Sequence, residues 1–355
     1  ATRVNSQGLI EDITSNLPRI DYTGGEGHWL FEPQSTNLET ESAALTTGWN
    51  VRTGATSQIQ TSTTPFGVSG NVYKLTNATN NPPSWTDNSN STKKQYAVSA
   101  TDPASFYTFS VYVKSAGSTT INIQLRDNSR GSFVTTGLIS LSSEWQRVTI
   151  SKQFTTSTTA VGVVIAGTDG DILLADAQFE QQSFATSYIP TNGSTVTRLK
   201  DAAFGAGNSS LINSTEGVLY AEVAALAEQT LTRYITLSDG TSSNRIIIYI
   251  TDVGVIKFFV GVGGVTQAAK TVSGQTTTNF NKLAVSYKEN DIKFYLNGVK
   301  VHTDTSASTF PADTLNVLNF AASNGTSSPF FGKTKCAAVF KEALTDAELT
   351  CLTTI

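Results

Sequence analysis

Apolar and polar residues alternate along most of this chain with the period of two that a half-buried β-strand imposes. Phe109, Val111 and Val113 alternate with Ser110, Tyr112 and Lys114. Ile121, Ile123 and Leu125 alternate with Asn122, Gln124 and Arg126, and Val148 and Ile150 with Thr149 and Ser151. Further β segments are predicted at 161–165 and 172–179, with turn clusters such as Asp127-Asn128-Ser129 and Gly167-Thr168-Asp169-Gly170 between strands. A second series follows at 218–226, 233–237, 245–250, 255–260, 282–287, 292–296 and 315–321. Short, evenly spaced strands without helical periods predict sandwiches or jelly rolls. Two hairpins are specified locally: Glu289-Asn290-Asp291, and Asn297-Gly298, whose residues tolerate the positive φ of a type I′ turn. One helix is predicted, from Asp346 to about Leu352. Thr345 and Glu348 make a capping box there, and Leu344 and Leu349 can close a staple across it.

The stretch 179–201, FEQQSFATSYIPTNGSTVTRLKD, separates the two series. Pro190 and Asn192-Gly193 punctuate it, so a hinge is expected at 185–202. One sandwich is expected at 41–184 and another at 203–355. Residues 1–40 show no sustained period and are broken by Pro18, Gly24-Gly25, Gly27 and Pro33. They read as an extended arm whose apolar residues, Trp29-Leu30-Phe31 among them, dock on a sandwich or on another subunit.

Composition narrows the function classes. The chain has 355 residues, enough for two domains and an extra segment. Charged residues make up 15%, with Thr, Ser, Asn and Gly in their place, as in β-rich extracellular and virion proteins. A net charge of −4 gives no basic field, so nucleic acid is not the expected partner. No apolar run reaches membrane-spanning length, and no signal peptide is visible. Methionine is absent even at position 1, which reads as a processed or excised piece of a longer chain. The two cysteines, Cys336 and Cys351, sit in apolar runs and are expected as buried thiols rather than a bridge. With His28 and His302 far apart, a zinc site or a Cys/His nucleophilic pair is not expected.

The residues LAVSYKENDIKFYLNGVKV (283–301) and AAVFKEALTDAELTCL (337–352) resemble the laminin-G or concanavalin A-like sandwich family. The segment at Trp49, FYTFSVYVKS (106–115), SSEWQRVTI (142–150) and ILLADAQFEQ (172–181) are similar to jelly-roll carbohydrate-binding modules. ATRVNSQGLIEDITSNLPRIDY, LFEPQSTNL and FATSYIPTNGSTVTR look like stretches that recur in tailed-phage virion proteins. The fold class expected is therefore all-β: two antiparallel β-sandwiches, jelly-roll then concanavalin A/laminin-G-like, with an N-terminal extended arm and one short C-terminal helix. The implied function is a non-enzymatic fibre, spike or capsid decoration on the virion surface. It would contact host or environmental polysaccharide, meet other virion subunits through the arm, and form a homo-oligomer. A glycan-binding pair from a secreted bacterial polysaccharide-processing protein, or a purely structural virion joint, are the alternatives.

Candidate sites follow. Trp85 lies in NNPPSWTDNSN, a stiff polar loop where an aromatic ring can stack on a sugar. Asp87 and Asn88 would bond its hydroxyls, and Tyr96 would flank the same face; the competing reading tucks Trp85 into the sandwich edge. Asp176 stands mid-strand between apolar neighbours. The carbohydrate-module resemblance implies structural Ca2+ for such an acidic residue, the alternative being an outward-facing aspartate. The laminin-G resemblance implies the same for Asp239, the alternative being a turn residue. No E-x-D-x-E, G-x-S-x-G or phosphate loop occurs, so no catalytic residues are assigned.

Overall fold

A computed structural model describes residues 1–14, 16–77, 91–98, 105–127, 132–154, 158–227, 232–251 and 254–355. It is all-β apart from one helix among the described residues, and every sheet is antiparallel. The chain divides into two compact units: Ala1–Leu17 with Tyr22–Gly25 and Gln34–Leu199, and Pro18–Asp21 with Glu26–Pro33 and Lys200–Ile355.

The first unit packs two sheets face to face. One orders Gln146–Gln153, Phe106–Ser115, Ile172–Glu180, Ser69–Thr76 and Thr56–Thr63. The other orders Phe133–Thr135, Thr120–Asp127, Ala160–Gly167, Thr92–Ala97 and Asn50–Val51, with Ile139–Ser140 beside Thr120–Asp127. Alternation puts Phe109, Val111 and Val113 opposite Ile121, Ile123 and Leu125 in one core with Trp49, Tyr107 and Phe179. Residues beyond the last strand belong to this unit too. Val196–Arg198 pairs with Ser35–Asn37, and Tyr188 and Ile189 are buried.

The second unit sets a seven-stranded sheet against a five-stranded one. Ile20–Asp21 and His28–Phe31 form the edge of the seven-stranded sheet, through Gly332–Phe340. Trp29-Leu30-Phe31 thus docks within its own chain. The Phe31 ring stacks on Phe320 at 5.0 Å, and Trp29 lies 5.7 Å from Phe320. Buried Arg19 holds the entry, donating to Glu32 at 2.9 Å and also to Asp201. Asn297 (φ 50°) and Gly298 (φ 80°) turn Ile292–Leu296 into Val299–Asp304, as their sequence specifies.

The helix, Asp346–Thr353, lies on the outer face of the seven-stranded sheet. Its Leu349 packs with Val218, Tyr220, Ala284 and Tyr295. Both halves of the capping box form: the Thr345 hydroxyl accepts from Glu348 N at 3.3 Å, and Glu348 accepts from Thr345 N at 2.8 Å. Thr345→Ala is expected to lower stability by about 1 kcal/mol. In thermal denaturation of the whole chain, that corresponds to a shift of roughly 2–4 °C.

The two cysteines depart from expectation. Both are free and exposed. Cys336 stands opposite Glu222 on a strand face away from the core, and Cys351 is on the solvent side of the helix. Each lies in an apolar run, yet on the wrong parity or helical face for burial.

Candidate functional site

The five-stranded sheet of the second unit orders Val265–Val272, Ile256–Val262, Arg245–Ile250, Arg233–Ser238 and Val317–Asn319. Its inner face gives Ile235, Leu237, Ile246, Ile248, Ile250, Phe258 and Val260 to the core. The period of two sends their neighbours to the outer face. Register then fixes what stands beside what. Tyr234 pairs with Tyr249, and Tyr249 with Lys257; Thr236 pairs with Ile247, and Ile247 with Phe259; Ser238 pairs with Arg245, and Arg245 with Gly261.

The result is a half-buried layer of rings and cations. Tyr234 and Tyr249 meet edge to face, 4.9 Å apart at 73°. Lys257 Nζ lies 5.9 Å from the Tyr249 ring, and the Arg245 guanidinium 5.2 Å from the Phe259 ring. Such contacts hold a cation over the negative face of the ring and leave its N–H groups available to a second partner. Gly261 makes room for the layer: a Cβ there would come within 2.8 Å of the Phe259 ring. Burial raises the Tyr249 hydroxyl above its ordinary pKa, with Tyr234 adding to the shift and Arg245 opposing it, so the ring stays neutral and can donate. The one helix among the described residues lies on the other sheet.

This face was not singled out from the sequence. RYITLS, RIIIYI and IKFFVGV read as core strands because Ile247 and Phe259 sit among apolar neighbours on both sides. The available signal is the Arg, Lys and Tyr that recur at the outward parity.

The expected site residues fall elsewhere. Trp85, Asp87 and Asn88 lie outside the described residues. Tyr96, expected beside a sugar, is inside the first sandwich and only 4% exposed. Its ring stacks on Phe179 at 4.1 Å and its hydroxyl donates to Glu39 at 2.7 Å. Burial and the neighbouring Glu39 carboxylate together raise that hydroxyl's pKa.

Asp176 occupies a β-bulge, where it and Ala177 stand opposite Val111, with φ of 52°. It is buried, but toward Tyr188 and Arg147, which stand on the sheet face turned away from the sandwich core. Burial pushes its pKa up to about 7, against the opposing effects of the Tyr188 hydroxyl and Arg147. Its Oδ2 is buried without a hydrogen-bond partner among the described residues. Asp239 is a turn residue, accepting from Thr241 N at 2.8 Å, Thr241 Oγ1 at 2.7 Å and Asn244 Nδ2 at 2.9 Å. Burial works to raise its pKa, and these bonds outweigh it. Among the described residues no three His, Cys, Asp or Glu side chains gather in metal-binding geometry. Among the described residues neither aspartate belongs to a ligand group of the kind a Ca2+ site draws on.

The first sandwich has a polar outer face of its own, on the six-stranded sheet, where Lys93, Gln95, Gln124 and Arg126 lie at the outward parity. Burial lowers the Lys93 pKa, and nearby Arg52 and Arg126 add to the effect.

Two antiparallel sandwiches, the second backed by a short capped helix, define the class of this protein. The second is concanavalin A-like: the Laminin_G_3 family, described as the concanavalin A-like lectin/glucanases superfamily, matches residues 220–350. Among curated proteins nothing matches the chain. Among solved structures, the chain is similar to the CBM40 of a Ruminococcus gnavus IT-sialidase bound to α2,3 sialyllactose. That likeness has 19% identity and a TM-score of 0.36, covering 43% of this chain and 94% of that one. It is also similar to domain 4 of AbnA, a GH43 extracellular arabinanase from Geobacillus stearothermophilus, in complex with arabinotriose. There the identity is 19% and the TM-score 0.32, covering 46% of this chain and 74% of that one.

Proposed function

We propose that this protein binds glycans without cleaving them, through the outer face of the five-stranded sheet. The observation that carries this reading is the layer of Tyr234, Tyr249 and Phe259, partly buried and interleaved with Arg245 and Lys257. Rings present the flat apolar surface that a pyranose face covers, and the cations and hydroxyls beside them bond its polar rim. The concanavalin A-like character of the second unit agrees with a lectin-type role. The wider setting proposed is a virion surface, supported by the resemblance of residues 1–22, 30–38 and 184–198 to tailed-phage segments. A secreted bacterial glycan-processing protein is the other setting the same site would serve.

Affinity electrophoresis of the whole chain through gels containing bacterial and plant polysaccharides tests the reading. Wild type is expected to be retarded in at least one gel, equally with calcium and with chelator. Tyr234→Ala combined with Tyr249→Ala is expected to weaken binding roughly thirtyfold, as truncation of central aromatic anchors does. Trp85→Ala run alongside separates this face from Trp85. Retardation lost in Trp85→Ala but kept in the tyrosine variant would reject the face named here.

A further inference from the structure

We propose, resting on the glycan reading above, that the ligand of this face is a polyanionic glycan, one with carboxylate, sulfate or phosphate groups repeated along its chain.

The charge inventory of the sheet carries the inference. Its outer face carries Arg245 and Lys257, while Arg233 and Lys270 stand at the inward parity, and none of its five strands contains an Asp or a Glu. The seven-stranded sheet of the same unit is built differently, because four of its lysines, Lys288, Lys293, Lys300 and Lys335, are matched by acids. Lys293 meets Asp291 at 3.0 Å and Asp346 at 3.1 Å; Lys300 meets Asp346 at 2.8 Å; Lys288 meets Glu216 at 3.3 Å. Among the described residues no carboxylate lies within ion-pair distance of Arg245 or Lys257. The nearby acid in sequence, Asp239, is occupied by Thr241 and Asn244.

These two cations are therefore steadied by rings rather than by counter-charges. An aromatic face neutralises no charge, so an incoming anion finds a guanidinium fork and an ammonium already positioned and not committed to a carboxylate. Spacing argues for a polymer over a single acidic sugar. Arg245 and Lys257 face each other across a strand pair but are offset by four residues, since Lys257 is the partner of Tyr249. At about 3.3 Å per residue that offset is roughly 13 Å along the strand, longer than one sugar ring. The whole chain carries −4, so its overall field repels a polyanion, and attraction has to be local to this face.

The test compares polymers that differ only in charge: polygalacturonate against its methyl ester, and dextran sulfate against dextran. Each charged member is run at low and high salt, so that the carboxylate and sulfate arms are read separately. Wild type is expected to be retarded by at least one charged member, less at high salt, and not by its neutral counterpart. Arg245→Gln and Lys257→Gln are each expected to weaken binding roughly tenfold. Both variants should keep the wild-type melting temperature. Equal retardation by a neutral polymer, lost in the Tyr234/Tyr249 variant, would overturn the polyanion inference and leave the glycan reading standing. Charge-dependent retardation that survives in the Arg245/Lys257 double variant would overturn the inference as well, moving the site to another face such as that of Lys93 and Arg126. No retardation by any polymer would overturn both.

Discussion

Glu39→Ala is expected to destabilise the first sandwich by about 3–5 kcal/mol, the cost typical of stripping one partner from a buried charge pair. Glu39 is 0% exposed. Its carboxylate accepts from Lys94 Nζ at 2.6 Å, from Tyr96 Oη at 2.7 Å and from Trp49 Nε1 at 3.1 Å. With the Glu41 N–H, which donates to Oε1 at 3.1 Å, four donors converge on one side chain that lies ahead of the first sandwich strand. Alanine would strand the Lys94 ammonium in a nearly closed site with only the Thr47 carbonyl, 2.7 Å away, and leave an indole N–H and a phenol without acceptors. The melting temperature of this unit should fall by on the order of 10 °C. Calorimetry of the whole chain would record it. Removing Lys94 as well, as Glu39→Ala with Lys94→Ala, should cost less than the sum of the two single changes, because the second substitution removes the stranded charge. Strict additivity would show that the bonds to Glu39 do not act as one network.

The second large effect concerns Asp176 and is one of pH. Its carboxyl has a pKa of about 7 in the folded chain, raised from 3.8 because burial disfavours the anion by more than Tyr188 and Arg147 favour it. An acid with a raised folded pKa holds its proton more tightly when folded. Its contribution to stability is therefore greatest while the proton is on, and declines as pH rises from the unfolded value through the folded one. Between about pH 4 and about pH 7 the first sandwich should lose on the order of 4 kcal/mol from this group alone. Asp176→Asn keeps the shape, tolerates the left-handed φ of 52° and cannot ionise. The variant is expected to match wild type at about pH 3, to melt higher at about pH 8, and to show a flatter profile between. A wild-type profile as flat as that of Asp176→Asn would show that the carboxyl finds solvent or a partner when it ionises.

Local signals carried most of the architecture. Asn297-Gly298 and Thr345-x-x-Glu348 each specify a turn or a cap within a few residues, so no distant partner is needed to read them. Alternation identified many strands of both sandwiches for the same reason, but not Thr56–Thr63, Ser69–Thr76, Thr92–Ala97 or Val265–Val272. What escaped depends on long-range pairing. Residues 28–31 look like any short apolar segment, and only the unpaired side of Gly332–Phe340 makes them a strand of the second sandwich. Tyr96 stands in KKQYAV, whose polar neighbours imply a wet surface. It is buried because parity places it with Lys94 toward a glutamate more than fifty positions earlier. Tyr249 shows the converse difficulty. In RIIIYI both faces are apolar enough to pass for interior, and periodicity cannot tell the solvent side of such a strand from the core side.

The interleaving of the two units sets a limit on how this chain can be divided or recombined. A cut between Leu199 and Lys200, where the sequence looks most divisible, would separate the concanavalin A-like part from two of its own edge strands. The excised piece would keep Phe320 and Phe330 but lose the Trp29 and Phe31 rings that cover them, and the backbone of Gly332–Phe340 would be left as a bare sheet edge. The second sandwich is therefore not a cassette that gene fusion could carry to another protein by itself; it travels with its leader or as an incomplete fold.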